Sequence, residues 1–185
     1  MSELKRYLIV AGINGAGKST LYRARPELFT HSKRLNADEI LQKMGGDWHK
    51  NRDNFRAMRE EIKQLHAALN TGQSIHVETT LAGQGKAQLN LIERAHQNGF
   101  EVTLLYVALK NEKVAINRVH ERVKKGGHGV PDEVVKKCYN QSNHNLAAVA
   151  FKADNVVIFD NSQKFVSVYR REHDQAIKNN LRDFP

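Results

Sequence analysis

The residue types and spacing that most directly imply chemistry lie at residues 12–20, Gly-Ile-Asn-Gly-Ala-Gly-Lys-Ser-Thr. Gly12, Gly17, Lys18 and Ser19 satisfy the pattern G-x-x-x-x-G-K-[ST] in full. With glycine at about 7% of residues, a chance match in a chain this long falls below about one in a hundred. Glycines in such a stretch let the backbone curl until its N–H groups converge on phosphate oxygens. The helix that follows adds its positive N-terminal end. Gly12, Asn14, Gly15, Ala16, Gly17, Lys18, Ser19 and Thr20 are therefore read as a cradle for ATP. Lys18 would bridge the β- and γ-phosphates as a point charge, and Ser19 would offer its hydroxyl to Mg²⁺. A GTPase needs a base-specifying motif of the NKxD type, and the sequence has none. A motor ATPase shows an apolar run ending in Asp-Glu, whereas the candidate strands here end in Glu78, Leu109 and Asp160. Kinase chemistry fits best.

A kinase needs a carboxylate beside the acceptor hydroxyl, to take or orient its proton as transfer begins. Two stand at expected strand ends, where open α/β sheets bind ligands. Asp38, in RLNADEIL, is one; the same residue could be a helix N-cap, or serve both ends. Glu78, in SIHVETTLAG, is the other, placed to hold a substrate hydroxyl or a Mg²⁺-bound water, or else to close a loop salt bridge. Thr79 and Thr80 follow it as substrate-side hydroxyls. Positive charge for the moving phosphate would come from the helix expected over 112–125, where Arg118 and Arg122 share a face. The alternative for both is a solvated helix face. The glycine-rich loop 126–131 then forms a hinge before a helix restarting near Asp132, so residues 112–146 read as a small helical lid. His128, within the hinge, either touches phosphate or is simply exposed.

The elements that must position these groups are legible from periodicity. Apolar runs of strand type occupy 7–11, 74–77, 102–107 and 156–159. Phe55, Met58, Ile62, Leu65 and Leu69 recur at helical spacing until Gly72, and Leu89, Ile92 and Ala95 do so until Gly99. Strands apolar on both faces and joined through helices imply a mostly parallel sheet covered on both sides. Right-handed crossovers make it a three-layer α/β domain around a phosphate loop. Residues 165–169 are expected to add an edge strand and 176–181 a terminal helix. The 185 residues suffice for one domain with a sizeable core.

Composition narrows the class further. At 40% apolar and 26% charged residues the chain has the make-up of an ordinary globular protein. No apolar run approaches the roughly 20 residues of a membrane span. The segment MSELKRYLIVAG lacks the long apolar stretch and cleavage site of a signal peptide, so the expected location is the cytoplasm. The single cysteine, Cys138, excludes an internal disulfide. A formal charge of +9 invites a nucleic-acid partner, but the basic residues are spread along helices, and nucleotides or sugar phosphates need positive potential too. The favoured partners are ATP and a small hydroxylated acceptor. A nucleic-acid end kinase and a nucleotide-binding regulator with weak ATPase activity are the alternatives.

Taken together, NGAGKST, NADEI, ETTLAG, RVHERVKKGGHGVP and FDNS resemble the zeta toxin family of P-loop kinases, and its shorter chromosomal members more than the plasmid toxins. The motifs run in order from Gly12 to Ser162 and cover most of the chain. The resemblance implies a nucleotide-kinase-like fold, ATP as donor, and UDP-N-acetylglucosamine as an acceptor phosphorylated on a sugar hydroxyl. It places the catalytic aspartate at Asp38, the substrate-side acid and threonine at Glu78 and Thr80, and the lid arginine at Arg118. Asp160, Asn161 and Ser162 would then lie near the adenine, and a small helical antitoxin is an implied partner. Two positions depart from the family pattern. Ala82 stands where the plasmid toxins carry an arginine in the substrate loop, and Cys138 where members carry an arginine after the lid. The first bears on a UDP-sugar acceptor. The second bears on transition-state stabilisation, for which Lys136 or Lys137 would be an imperfect substitute.

Overall fold

In the first strand, β1 (Arg6–Ala11), alternate side chains are buried on opposite faces of one sheet. Tyr7, Ile9 and Ala11 join a core that includes Leu65, Leu69, Ile92, Leu104 and Val149. Leu8 and Val10 join a second core with Leu21, Leu105, Ile116, Val119 and Phe159. A strand buried on both faces belongs at the centre of a helix-covered sheet, and β1 sits there. The structure, a computed structural model, describes residues 4–183.

After β1 come α1 (Lys18–Ala24), a 3-10 turn at Pro26–Phe29, β2 (Lys33–Leu35), α2 (Ala37–Lys43), α3 (Asn51–Thr71) and β3 (Ile75–Thr79). The second half carries α4 (Lys86–Gln97), β4 (Glu101–Ala108), α5 (Glu112–Lys124), α6 (Asp132–Lys152), β5 (Asn155–Asp160), β6 (Val166–Glu172) and β7 (Gln175–Asn179). The seven strands lie in the order β2-β3-β1-β4-β5-β6-β7. The first five are parallel and the last two antiparallel. Helices α3, α4 and α6 supply one covering layer, and α1 and α5 the other. No helix among the described residues is long and apolar enough to cross a membrane.

Three expectations need correction. Residues 176–181 form no helix: β7 pairs with β6 through a tight turn at His173-Asp174, and only Leu181–Asp183 turn as 3-10. The ladder offered by β6 outweighs the helix preference of Ala176 and Lys178, which is weak beside paired hydrogen bonds. Consequently β6 is an inner strand and β7 is the edge. The apolar stripe of α3 is also only half core. Leu65 and Leu69 are buried, but Phe55, Met58 and Ile62 are 65%, 53% and 43% exposed. The N-terminal half of α3 packs on α2 through Ala57, Ile40 and Leu41, away from the sheet.

Candidate active site

Ala11 ends β1 beside Thr79 of β3 and Tyr106 of β4, so the next loop leaves the middle of the sheet at the strands' C-terminal edge. Open α/β sheets hold ligands there. The Gly12 N–H donates to the Thr79 carbonyl at 3.2 Å. Gly15 has φ +82°, and a Cβ on it would lie 2.5 Å from the Ala115 carbonyl oxygen. Gly17 caps α1 at φ +101°, and a Cβ there would collide with the side-chain amide of Asn161. No other residue type fits these two positions without strain. Asn161 in turn donates from Nδ2 to the Ala16 carbonyl at 2.8 Å, bracing the loop from the β5–β6 side.

Lys18 folds back across the loop, its Nζ donating to the Gly12 carbonyl at 2.7 Å. Burial lowers the pKa of this amine below the ordinary lysine range; Glu78 and Asp38 act against the shift and Arg122 adds to it. Lys18, Ser19, Asn14, Gly15 and Gly17 line a cavity of about 370 Å³. Gly12, Ala16 and Thr20 belong to the loop but not to that wall. The backbone curl and the converging lysine fit a polyphosphate, and the Ser19 hydroxyl, exposed at the mouth, fits a Mg²⁺ held partly by that phosphate.

A second cavity of about 740 Å³ adjoins the first. Both share a wall made of Asn14, Ala37, Asp38, Glu78, Thr79 and Thr80. Asp38 sits in the first turn of α2 and is exposed to this space. It is not the N-cap: Asn36 is, its side chain accepting the Glu39 N–H at 3.1 Å. Glu78 accepts from Arg34 at 2.5 Å and from the Asn36 amide at 3.0 Å. The loop salt bridge and the site position thus coincide in one residue. Arg34 also rests on the Tyr22 ring, 4.6 Å from its centroid. The hydroxyl oxygens of Thr79 and Thr80 accept from the N–H groups of Leu81 and Ala82. Asn145 of α6 fixes the same loop, donating to the carbonyls of Leu81 at 2.7 Å and Gly83 at 3.1 Å.

Glu61 of α3 lines the larger cavity as well, and sequence reasoning missed it. The signal was present: Glu61 falls three residues after Met58 and four before Leu65, an acid on the apolar stripe. Burial raises its pKa to about 7; the Ala37 N–H opposes the shift, while Asp38 and Glu78 add to it. One of its oxygens is buried without a hydrogen-bond partner. Because the folded pKa lies above the ordinary carboxyl value of 4.5, the folded protein binds the extra proton between those pH values. The contribution is therefore fully present below about pH 4.5 and lost as pH rises through about 7. Glu61→Gln is expected to raise stability by about 1–2 kcal/mol at pH 8, after solvent screening is allowed for, and to change little at pH 5. Urea melts at the two pH values check this; equal effects at both would remove the assignment.

The two arginines of α5 separate. Arg118 donates to the Asn161 carbonyl at 2.7 Å and reaches those of Ser162 and Gly15 at 3.4 and 3.5 Å, tying α5 to the phosphate loop and the β5–β6 turn. Arg122, one helical turn later, lines the smaller cavity beside Lys18, and Arg118 does not. Near the helix start Ala115 packs against Gly15, so the next turn's arginine is captured by nearby carbonyls. Asp160 accepts from the Ser162 hydroxyl at 2.6 Å, fixing that turn. His128 is not simply exposed: it lines the larger cavity, 4.4 Å from the Trp48 ring. Cys138 lies on α6 near Thr80 and Lys18; burial raises its thiol, and Thr80, Lys137 and Lys18 work in the opposite direction. Lys136 is turned outward, paired with Glu133 at 2.8 Å.

The sequence model of the family described as Zeta toxin matches residues 2–174. An uncharacterised protein of Haemophilus influenzae is 29% identical over 132 residues, spanning 71% of this chain and 91% of its own. Among solved structures, one from work on the PezAT chromosomal toxin–antitoxin system of Streptococcus pneumoniae superposes with a TM-score of 0.63 at 16% identity, covering 91% of this chain and 72% of the other. The AvrRxo1-ORF1:-ORF2 structure with ATP reaches a TM-score of 0.76 at 15% identity, covering 98% and 62%. At such identities these two likenesses speak for the fold. The family rests on the match along nearly the whole sequence: this chain belongs to the zeta toxin family and is an ATP-dependent kinase.

Proposed function

We propose that the protein transfers the γ-phosphoryl group of ATP, with Mg²⁺, to a hydroxyl group of a small metabolite. The observation that carries this reading is Asp38 on the wall common to the phosphate cavity and the larger cavity. A carboxylate at that junction can meet a hydroxyl entering from one side as a phosphoryl group is presented from the other. In the transfer the acceptor oxygen bonds to the γ-phosphorus, the bond to the β-phosphate oxygen breaks, and the hydroxyl proton passes to Asp38. Lys18 and Arg122 supply positive charge to the phosphate oxygens, and Ser19 would hold the metal, which would neutralise charge on the phosphates. Glu78, held by Arg34 and Asn36, and Thr80 orient the acceptor. Arg118 and the residues Asp160, Asn161 and Ser162 shape the nucleotide side.

UDP-N-acetylglucosamine, the acceptor implied by the family resemblance, is the first compound to try. The PezAT system also supports a protein antitoxin as partner. The test is γ-labelled ATP with Mg²⁺, with and without a panel of hydroxylated compounds. Label on a small acceptor, well above the release of labelled inorganic phosphate, is the expected result. Release of inorganic phosphate alone across the panel would turn the protein into a nucleotide-binding regulator. Label on an oligonucleotide end would move the acceptor to nucleic acid.

A further inference from the structure

Asp38 and Arg122, the acid and one of the cations assigned above to the moving phosphoryl group, stand on separate elements, α2 and α5. Among the described residues, no hydrogen bond or ion pair joins residues 37–62 to residues 112–140. A ring contact does. Trp48, between α2 and α3, lies with its centroid 4.4 Å from that of His128, between α5 and α6. Both sides of this contact are braced. The His49 ring stacks on Trp48 at 3.4 Å, and Asp47 holds His49 through Nδ1 at 2.9 Å. The Asn54 amide donates to the Trp48 carbonyl at 2.8 Å, and Asp53 accepts the Asp47 N–H at 3.1 Å, which ties this loop to the start of α3. On the other side, the Gly127 N–H donates to the Arg122 carbonyl at 2.9 Å. A Cβ on Gly127 would lie 2.7 Å from Arg122 Cγ, and one on Gly129 would lie 3.1 Å from Val123 Cγ2. The glycines flanking His128 thus pack on the last turn of α5, against the stem of the arginine that lines the smaller cavity.

Arg118 is fixed by the carbonyls it donates to, whereas the Arg122 side chain has no hydrogen-bonded or ionic partner among the described residues. A long side chain left free loses rotamer entropy when a phosphate engages it. Packing that fixes its stem beforehand lowers that cost. Resting on the reaction proposed above, we infer that Trp48 is a positioning residue for phosphoryl transfer. Through His128 and Gly127 it sets Arg122 for the donor phosphates, and the same contact holds α2, with Asp38, across the site. Linkage makes the effect reciprocal: a nucleotide that draws on Arg122 is felt at the contact between Trp48 and His128.

Trp48 is the only tryptophan in the sequence, so indole fluorescence reports from this position. Titration with Mg²⁺ and a non-hydrolysable ATP analogue is expected to change that emission saturably in the parent. In His128→Ala the change should disappear while calorimetry still shows the analogue bound. A change that survives His128→Ala, or none in a parent that binds the analogue, overturns the coupling. Loss of the γ-label from ATP, to an acceptor or to water, is the second readout. Trp48→Ala is expected to slow it at least about tenfold through misplacement of Arg122. Trp48→Phe should restore it, since a ring able to stack remains. Trp48 is 39% exposed, so urea melts of both variants should match the parent. A Trp48→Ala rate equal to the parent's overturns the positioning role, and so does a loss that follows lowered stability or that Trp48→Phe does not repair. A parent that binds the analogue but releases no label overturns the reaction, and the fluorescence response then decides the coupling by itself. A parent that does not bind the analogue overturns both.

Discussion

Asp38→Asn is expected to lower the rate of phosphoryl transfer by about 10²–10⁴-fold, the usual contribution of a positioned proton acceptor. The substitution keeps the shape of the side chain and removes only the basic oxygen. Asp38 is exposed in the first turn of α2, and the cap of that helix is Asn36, so the fold does not depend on it. The loss to the helix is confined to a favourable charge–dipole term of about 0.3–1 kcal/mol, and Glu39 still supplies an acid in the same turn. ATP binding should persist, because the loop that cradles phosphate is built from other residues. Removing Asp38 also takes away a charge that supports the protonated form of Lys18, so that amine's pKa shifts further in the direction burial already drives it. Single-turnover label transfer, read beside ATP binding and a urea melt, decides the matter. Transfer within a few-fold of the parent would remove Asp38 from proton transfer and turn attention to Glu61.

The parts of this molecule that sequence exposes are those governed by local rules. The phosphate loop is one, since its glycines answer to backbone geometry and its lysine and serine to a fixed spacing. The core strands are another: residues 7–11 and 102–107 are apolar on both faces, which only a covered sheet permits. Element ends were legible where a single residue decides them, as Gly72 does at the end of α3 with φ +74°. What escaped depends on partners distant along the chain. The strand β7 is held by β6, and nothing within its own five residues distinguishes it from a short helix. The division of labour between Arg118 and Arg122 follows from where the carbonyls of Asn161 and Gly15 stand, 43 and 103 residues away from Arg118 in sequence. Glu61 joins Asp38 and Glu78 only through the packing of α3 across α2, and its raised pKa is a product of that burial.

Asp38 and Glu78 also act on the loop that follows β1. Lys18 is a cation in a buried place, supported by Glu78 and Asp38 and opposed by Arg122. An anion such as a polyphosphate would be a further partner for this cation. Sites that bind polyphosphate tightly are arranged in this way, and the cost falls on the stability of the free protein.

Lys18→Met is therefore expected to separate function from stability. Transfer should fall by at least about 10²–10³-fold, since a positioned donor to the phosphate oxygens is gone. Stability of the free protein should hold or rise at neutral pH, because an apolar chain of similar length replaces a desolvated ammonium. The direction follows from linkage. The folded pKa of Lys18 lies below the ordinary lysine value of 10.5, so the unfolded chain holds the proton more tightly. Stability of the parent therefore rises with pH through the window between the folded pKa and 10.5, and this rise should disappear in the variant. Lost hydrogen bonds to the Gly12 and Ile13 carbonyls offset part of the gain, at about 1 kcal/mol for a typical bond. Thermal melts with and without Mg-ATP give the readout. The parent should be stabilised by the nucleotide as mass action requires, and the variant should begin at an equal or higher Tm and move little on its addition. A variant that melts well below the parent, or gains as much from Mg-ATP, would show that Lys18 serves the loop's structure and not the phosphate.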